Sequence, residues 1–223
     1  MTYRRYGVYY APKSGSDLAR FGASWLGWDA EVGEEVAHPD APVDVAAITA
    51  TPRKYGFHGT LKPPFVPNTD VAMLNDAIEM VAAAHAPFTA PPMRLKRIGP
   101  FLALTLSAPS EPLATLAAAC VMDLDVFRTP PTEAELAKRR AAGLSPAQDA
   151  LLKRWGYPYL MEEFRFHLTL SGALSDEDAV AAEAALTPLV ASLTQPLEVE
   201  ELTLFGEAED GRFHIVRRFQ LGG

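Results

Sequence analysis

Hydrophobic positions along the chain follow two periods, which predict strands that alternate with helices. Runs rich in aromatic, aliphatic and β-branched residues predict strands over 6–10, 57–62, 93–98, 101–106, 165–170, 197–204 and 213–219. Apolar residues at helical spacing predict helices over about 14–27, 70–85, 111–122 and 175–193. Residues 29–52 contain three prolines and are expected to be irregular.

The order of strand, helix and hairpin occurs twice along the chain. Both copies open with a strand that carries the same short motif. This repetition predicts an internal duplication and two pseudosymmetric lobes within a single domain over residues 1–223. We expect lobe one to span about 11–125 and lobe two about 161–223, with the first strand, 3–10, shared or in either lobe.

An insertion over about 126–160 separates the two copies. Thr132 to Glu135 and Ser145 to Gln148 both match the capping box that begins many helices. They predict two short helices over 133–141 and 146–155, followed by an aromatic turn. Such a helical hairpin is either a lid over a site or a packing element.

Composition and charge narrow the classes of protein. The chain has 223 residues, 48% of them hydrophobic, so it can bury a sizeable core. Its formal charge of -8 argues against a broad basic surface for long nucleic acid, but leaves room for a locally positive pocket. The single cysteine, Cys120, excludes a disulfide or a cysteine-based zinc site within one chain and is expected in a helix core.

No segment predicts contact with a membrane. The N-terminal residues lack the apolar stretch of a signal peptide, and no apolar run reaches about 18 residues. We therefore expect a soluble, cytoplasmic protein.

The repeated motif reads F-H-x-T-L, at 57–61 and again at 166–170. Side chains alternate between the two faces of a strand, so each motif has an apolar face and a polar face. The predicted polar faces carry His58, Thr60 and Lys62 in the first copy, and Arg165, His167, Thr169 and Ser171 in the second.

Two such polar faces would together enclose a small anion. Imidazole titrates near neutral pH, so one histidine can act as a base while the other acts as an acid. Threonine hydroxyls can donate hydrogen bonds to phosphoryl oxygens, and a lysine or arginine can neutralise developing charge. A single His-x-Thr is weak evidence, but its duplication predicts a functional pair. The remaining histidines, His38, His85 and His214, are expected to be structural or exposed.

The paired motifs resemble those of the 2H phosphoesterase superfamily, which includes the LigT-like RNA 2',3'-cyclic phosphodiesterases. Residues 52–65, and residues 155–159 with 163–170, resemble a branch of it that is associated with phosphonate-utilisation operons. The resemblance covers nearly the whole chain. It implies an α+β fold with two antiparallel sheets that flank a central cleft. It also implies that the catalytic residues are His58, Thr60, His167 and Thr169.

The function expected from these observations is metal-independent hydrolysis of a small cyclic phosphate of a sugar or nucleotide. No cofactor and no metal are expected, because no carboxylate lies on either polar face. The candidate substrate-binding residues are Lys62, Arg165, Arg53, Tyr55 and Tyr9. Two alternatives stay open: an RNA 2',3'-cyclic end as substrate, and a module that binds a nucleotide or phosphate without turnover. The sequence leaves open the oligomeric state and which histidine is the acid.

Overall fold

The computed structural model describes residues 3–193 and 195–223, and its elements follow the predicted alternation. Met1 and Thr2, the first residues of the segment predicted to lack a signal peptide, lie outside the described residues. The helices are Asp17–Leu26 (α1), Val45–Ile48 (α2), Ala50–Arg53 (α3), Val71–Ala83 (α4), Glu111–Asp123 (α5), Glu133–Arg140 (α6), Pro146–Trp155 (α7) and Asp176–Val190 (α8). The strands are Tyr6–Tyr10 (β1), Trp28–Asp29 (β2), Glu34–Glu35 (β3), Gly59–Phe65 (β4), Phe88–Ala90 (β5), Met93–Ile98 (β6), Phe101–Leu106 (β7), His167–Thr169 (β8), Leu197–Val199 (β9), Glu201–Glu207 (β10) and Phe213–Gln220 (β11).

The main sheet has seven strands in the order β11-β10-β1-β4-β8-β7-β6. Every pairing in it is antiparallel. Its two halves meet where β4 pairs with β8, through the residue pair Gly59 and Leu168. The predicted α+β class with antiparallel sheets is thus confirmed, and the junction between the halves lies at the two motif strands.

The chain segments are distributed between the halves differently from the prediction. The hairpin β6–β7, which follows the first motif, pairs with β8 of the second motif. The hairpin β10–β11, which follows the second motif, pairs with β1, and β1 pairs with β4. The two halves of the sheet therefore do not coincide with the segments 11–125 and 161–223. The physical reason is that β1 and β8 already occupy the two edges of β4. The hairpin β6–β7, which follows β4 in the chain, therefore pairs with β8 instead.

The first motif strand continues past its predicted end at residue 62. Strand β4 includes Pro63 and Pro64 and ends at Phe65. Beyond Gly59, no pairing between β4 and β8 is present in the described chain. No backbone N–H is needed on the β8 side of β4 there, so the strand tolerates both prolines. The β1–β4 register also shifts here. Tyr9 pairs with Thr60, but the preceding residue, Val8, pairs with Lys62, so Leu61 is skipped.

Smaller departures concern short elements. The predicted strand over 197–204 is two strands, because β9 pairs with β5 in a separate ribbon while β10 joins the main sheet. The region 29–52, expected to be irregular, contains β3 and the one-turn helices α2 and α3. Both insertion helices begin at the predicted capping boxes, with Thr132 and Ser145 as N-caps.

The helices bury their apolar residues against one face of the sheet. Leu61, Leu104 and Leu168 are fully buried there, in a core that α4, α5 and α8 also join. Cys120 lies in the same core, as expected from its helical surroundings. Within the described ranges, no helix is long and apolar enough to cross a membrane.

Candidate active site

The junction between the sheet halves brings the two motifs together. Gly59 lies opposite Leu168, and the side chain of Leu168 points into the core. Because the strands are antiparallel, His58 lies toward Thr169 and Thr60 lies toward His167. These neighbours of Gly59 and Leu168 point away from the core, since successive side chains alternate between the two faces. Each histidine therefore faces the threonine of the other motif. The structure places all four predicted catalytic residues on the same face of the sheet, next to the junction of its two halves.

Glycine in the first motif permits this close approach. A Cβ atom at Gly59 would lie 2.5 Å from Cζ of Phe166, too close for the ring to stay where it is. Phe166 is the phenylalanine of the second motif, and its ring packs against Tyr10 of β1. The two motif strands thus approach each other through a position that has no side chain.

The two imidazoles are held in the same way. Nδ1 of His58 lies 2.9 Å from the carbonyl oxygen of Gly56, and Nδ1 of His167 lies 2.7 Å from that of Arg165. A carbonyl only accepts, so both Nδ1 atoms donate and the lone pair of each neutral ring is on Nε2. In the first motif that Nε2 lies 3.3 Å from the Thr60 hydroxyl, which donates to it.

His58 lies among aromatic rings that shield much of it from water. Its ring stacks on Tyr9, with centroids 4.0 Å apart, and lies 5.9 Å from the ring of Phe205. Desolvation lowers the pKa of His58 to about 4; the hydrogen bond to Gly56 opposes this shift, and the charge on His167 adds to it. His58 is therefore a neutral imidazole at neutral pH.

This burial predicts a pH dependence of stability. Histidine in an unfolded chain titrates near pH 6.5, whereas folded His58 titrates near 4. Between these values the unfolded chain binds the proton and the folded protein does not, so stability falls as the pH drops from about 6.5 to about 4. At about 1.4 kcal/mol for each pKa unit, His58 accounts for a loss of up to about 3 kcal/mol.

Urea unfolding at pH 7 and pH 4.5 measures this loss, with His58→Gln as the comparison. The variant is expected to lose less stability than the wild type over the same interval, because its residue 58 does not titrate. Equal losses in the two proteins would show that His58 takes up a proton as easily when folded as when unfolded.

A cleft of about 460 Å³ opens over the motif face of the sheet. Its walls include Pro63, Pro100 and Phe101. Its lining contains His58, Thr60, Thr169 and Ser171. His167 lies beside this lining, with its ring 5.7 Å from that of Phe101.

Two arginines and a tyrosine that the sequence reasoning missed also line the cleft. Arg5 comes from the segment before β1, and Arg139 comes from α6 of the insertion. The guanidinium of Arg139 lies 4.8 Å from the ring centroid of Tyr157, which also lines the cleft. The insertion thus contributes to the wall of the cleft. Its capping boxes indicated helices, but no local signal showed which face would meet the site.

Two of the predicted substrate-binding residues lie in the cleft. Tyr9 is buried and forms its floor under His58. Tyr55 lines the cleft and stacks on Phe213, with ring centroids 5.1 Å apart.

Lys62 and Arg53 lie elsewhere, which contradicts the predicted contact with substrate. Lys62 is buried, donates to the carbonyl of Val121 at 3.1 Å and lies 3.9 Å from Asp125. The register shift in β4 places it opposite Val8, on the core side, and burial lowers its pKa to about 8. Arg53 donates to the carbonyls of Leu26 and Ala46, so it fixes the α3 segment.

Arg165 lies outside the cleft, in a second groove beside His167. Its guanidinium donates to the carbonyls of Glu162 and Phe164. This groove has a volume of about 670 Å³, and Arg94 and Lys96 of β6 also line it. Arg94 lies opposite Thr105, and Thr105 lies opposite His167, so the groove continues the motif face of the sheet.

The other three histidines make structural contacts. His38 lies between the carbonyl of Trp25 and the guanidinium of Arg53. His85 bonds the carbonyl of Val81 at the end of α4, and His214 packs edge-on against Trp28. Over residues 3–193 and 195–223, no three histidine, cysteine or acidic side chains are grouped so that they could hold a metal ion.

The fold and the site together define an antiparallel α+β protein in which two His-x-Thr motifs meet at one cleft. The family model described as "Protein of unknown function (DUF1045)" matches residues 60–214, and the chain belongs to this family. The match runs from within the first motif through the whole of the second.

Curated proteins with similar sequences carry the name ribose 1,5-bisphosphate phosphokinase PhnN. The one from Janthinobacterium sp. (strain Marseille) is 38% identical over 220 residues, and the one from Laribacter hongkongensis (strain HLHK9) is 35% identical over 214 residues. Each match covers 93% of this chain but 48% and 49% of the respective relative. The chain thus spans about half the length of the curated relatives that it matches.

Solved structures with similar folds match along the whole chain. One is a phosphoesterase, with 14% identity, a TM-score of 0.45 and coverage of 99% of both chains. Another is Escherichia coli LigT complexed with 3'-AMP, with 13% identity, a TM-score of 0.43 and full coverage of both chains.

Proposed function

We propose that this chain is a two-histidine phosphodiesterase that hydrolyses a small cyclic phosphate without a bound metal ion. One observation carries the proposal: the pairing of Gly59 with Leu168, which turns both histidines and both threonines to the same face. Two imidazoles and two hydroxyls around one point match the needs of phosphoryl transfer, where positioning and charge stabilisation supply most of the rate.

In the proposed reaction, Nε2 of His58 accepts a proton from water as its oxygen attacks phosphorus. The P–O bond of the ring breaks on the opposite side, and His167, which enters the reaction as an imidazolium, donates its Nε2 proton to the departing oxygen and becomes neutral. The product is a phosphate monoester with a free hydroxyl group. We assign the base to His58 because burial keeps it neutral in the free protein. A bound anionic phosphate raises the pKa of His58 toward the working pH, because a nearby negative charge favours imidazolium.

Thr60 and Thr169 would hold the two oxygens of phosphorus that do not react. In the free protein the Thr60 hydroxyl donates to His58 Nε2, so binding of substrate must turn it toward the phosphate. A hydroxyl can make this change at little cost, since it rotates to suit its partner. Ser171 lines the same end of the cleft but already donates to the carbonyl of Gly172.

The size of the cleft favours a small substrate. About 460 Å³ lies in the range of pockets that enclose a small molecule. The curated relatives are named for a pentose phosphate, and the motifs resemble a branch found in phosphonate-utilisation operons. Both favour a cyclic phosphate of a pentose, formed during the metabolism of phosphonates.

A screen of cyclic phosphates tests the proposal. Pentose cyclic phosphates, nucleoside 2',3'-cyclic phosphates and RNA 2',3'-cyclic ends are incubated with the protein, with and without a chelator, and the release of monoester is followed by phosphorus NMR. We expect hydrolysis of at least one small cyclic phosphate at the same rate with chelator. Tight binding without turnover would show a binding module, and loss of activity on chelation would show that a metal ion is needed.

The groove beside His167 favours an RNA end as a second candidate substrate. Arg94, Lys96 and Arg165 line it, and among the described residues no acidic side chain does. Cations arranged along a groove suit the phosphates of a single strand. Activity on an oligonucleotide that falls steeply with salt, and falls further in Arg94→Ala, would favour this substrate over a small cyclic phosphate.

A further inference from the structure

The cleft extends well beyond the histidine–threonine centre. The ring of Tyr9 lies back along β1, because Gly7 leaves space for it: a Cβ there would lie 2.6 Å from the Tyr9 hydroxyl oxygen. Arg5 lies further along the same face and also lines the cleft. The backbone distance from Tyr9 to Arg5 is about 13 Å for four residues of extended chain. The cleft thus extends from the catalytic groups along β1 toward Arg5.

Two guanidinium groups line the cleft on the side away from Thr169. Arg5 uses Nε and Nη2 to bind Glu207, at 2.5 and 2.9 Å, and its Nη1 makes no hydrogen bond to the described residues. Arg139 lies over Tyr157 and forms no ion pair with any carboxylate in the described part of the chain. No acidic residue is present in the described lining of the cleft. Two fixed guanidinium groups therefore face the same space.

We propose that Arg5 and Arg139 form a second anion subsite, which binds a phosphate monoester at the far end of the same substrate. The substrate would then be a small sugar that carries a cyclic phosphate at one end and a phosphate monoester at the other. This inference rests on the proposed function, which requires a cyclic phosphate at the histidines. Guanidinium groups suit the role because they bind phosphate oxygens through parallel N–H donors.

The net charge of the protein favours such a subsite. A chain with a formal charge of -8 repels a substrate with several negative charges, and local cations offset that repulsion. Glu207 and Tyr157 hold the two guanidinium groups in place before substrate arrives. Less conformational freedom is then lost on binding.

Kinetics with matched substrates test the subsite. Ribose cyclic phosphate is compared with the same compound carrying a 5-phosphate, for the wild type, Arg139→Gln and Arg140→Gln. Arg140 is the matched control, because it is the next residue of α6 but pairs with Asp149 outside the cleft. In Arg139→Gln we expect KM for the 5-phosphate substrate to rise about tenfold to 100-fold, with kcat little changed. KM for the substrate without the 5-phosphate should stay the same, and Arg140→Gln should match the wild type on both.

Equal effects on the two substrates, or no effect on either, would overturn the second subsite while leaving the two-histidine reaction in place. If no cyclic phosphate is hydrolysed at all, the proposed function fails, and the subsite is judged by binding alone. Calorimetry then compares ribose 5-phosphate with ribose. We expect ribose 5-phosphate to bind the wild type and Arg140→Gln at least tenfold more tightly than Arg139→Gln. Equal affinity in all three proteins would contradict the subsite.

Discussion

Replacement of either His58 or His167 by alanine is expected to lower kcat for cyclic phosphate hydrolysis by about 10²–10⁴-fold. Each variant removes one proton transfer, and the remaining histidine cannot serve both the attacking water and the departing oxygen. The double variant should be little worse than the worse single variant, because groups that act in one step are not additive. Single-turnover rates at saturating substrate measure these losses directly.

The control for this experiment is His85→Gln. His85 bonds a carbonyl at the end of α4 and does not line the cleft, so its replacement should leave kcat unchanged. Near-normal turnover in either motif variant would contradict the two-histidine reaction.

The pH profile gives a separate test of the assignment of the base. In the free protein His58 must be neutral to accept a proton, and its pKa is lowered to about 4. The value of kcat/KM reports on the free enzyme, so it should fall on the acid side only as the pH approaches about 4. In His58→Gln this acid limb should disappear together with most of the activity. An acid limb that persists in the residual activity of that variant would assign the base to another group.

The second large effect is expected from Gly59→Ala, which adds a single methyl group. The new Cβ overlaps the Phe166 ring at the pair of residues that joins the two halves of the sheet. The ring or the strands must move, at a cost of about 1–3 kcal/mol in the free energy of unfolding. A shift of about 1 Å between the motifs would lower activity by about 100-fold. Thermal unfolding and kcat/KM measure the two effects together.

Two further variants show whether the cause is the close approach. Gly222→Ala adds the same methyl group where the nearest atom is Cα of Ala83 at 3.6 Å, an ordinary contact, so it should have little effect. The pair Gly59→Ala and Phe166→Leu removes much of the overlapping ring and should recover part of the activity lost in Gly59→Ala. A Gly59→Ala protein with unchanged stability and activity would show that the motif strands lie further apart.

The part of the candidate site that lies within the two short motifs was predictable from the sequence. Both motifs contain their own histidine and threonine, and the duplication marked them as a pair. The supporting cations were not predictable. Alternation placed Lys62 beside Thr60, but a register shift of one residue in β4 turns Lys62 into the core. The cations that do line the cleft, Arg5 and Arg139, come from segments with no motif of their own.

The sequence by itself determined most of the longer elements and the starts of the two insertion helices, since helix spacing, capping boxes and strand alternation depend on residues close in the chain. It also singled out the two histidines that the structure turns to the same face of the sheet. Only the tertiary structure decided that the hairpin β6–β7 pairs with the motif strand of the other copy, and that β10–β11 joins the first motif strand through β1, because antiparallel pairing depends on which strand edges are free. The pairing of Gly59 with Leu168 turns both motifs to one face of the sheet, and Arg139 of the insertion lines the cleft on that face.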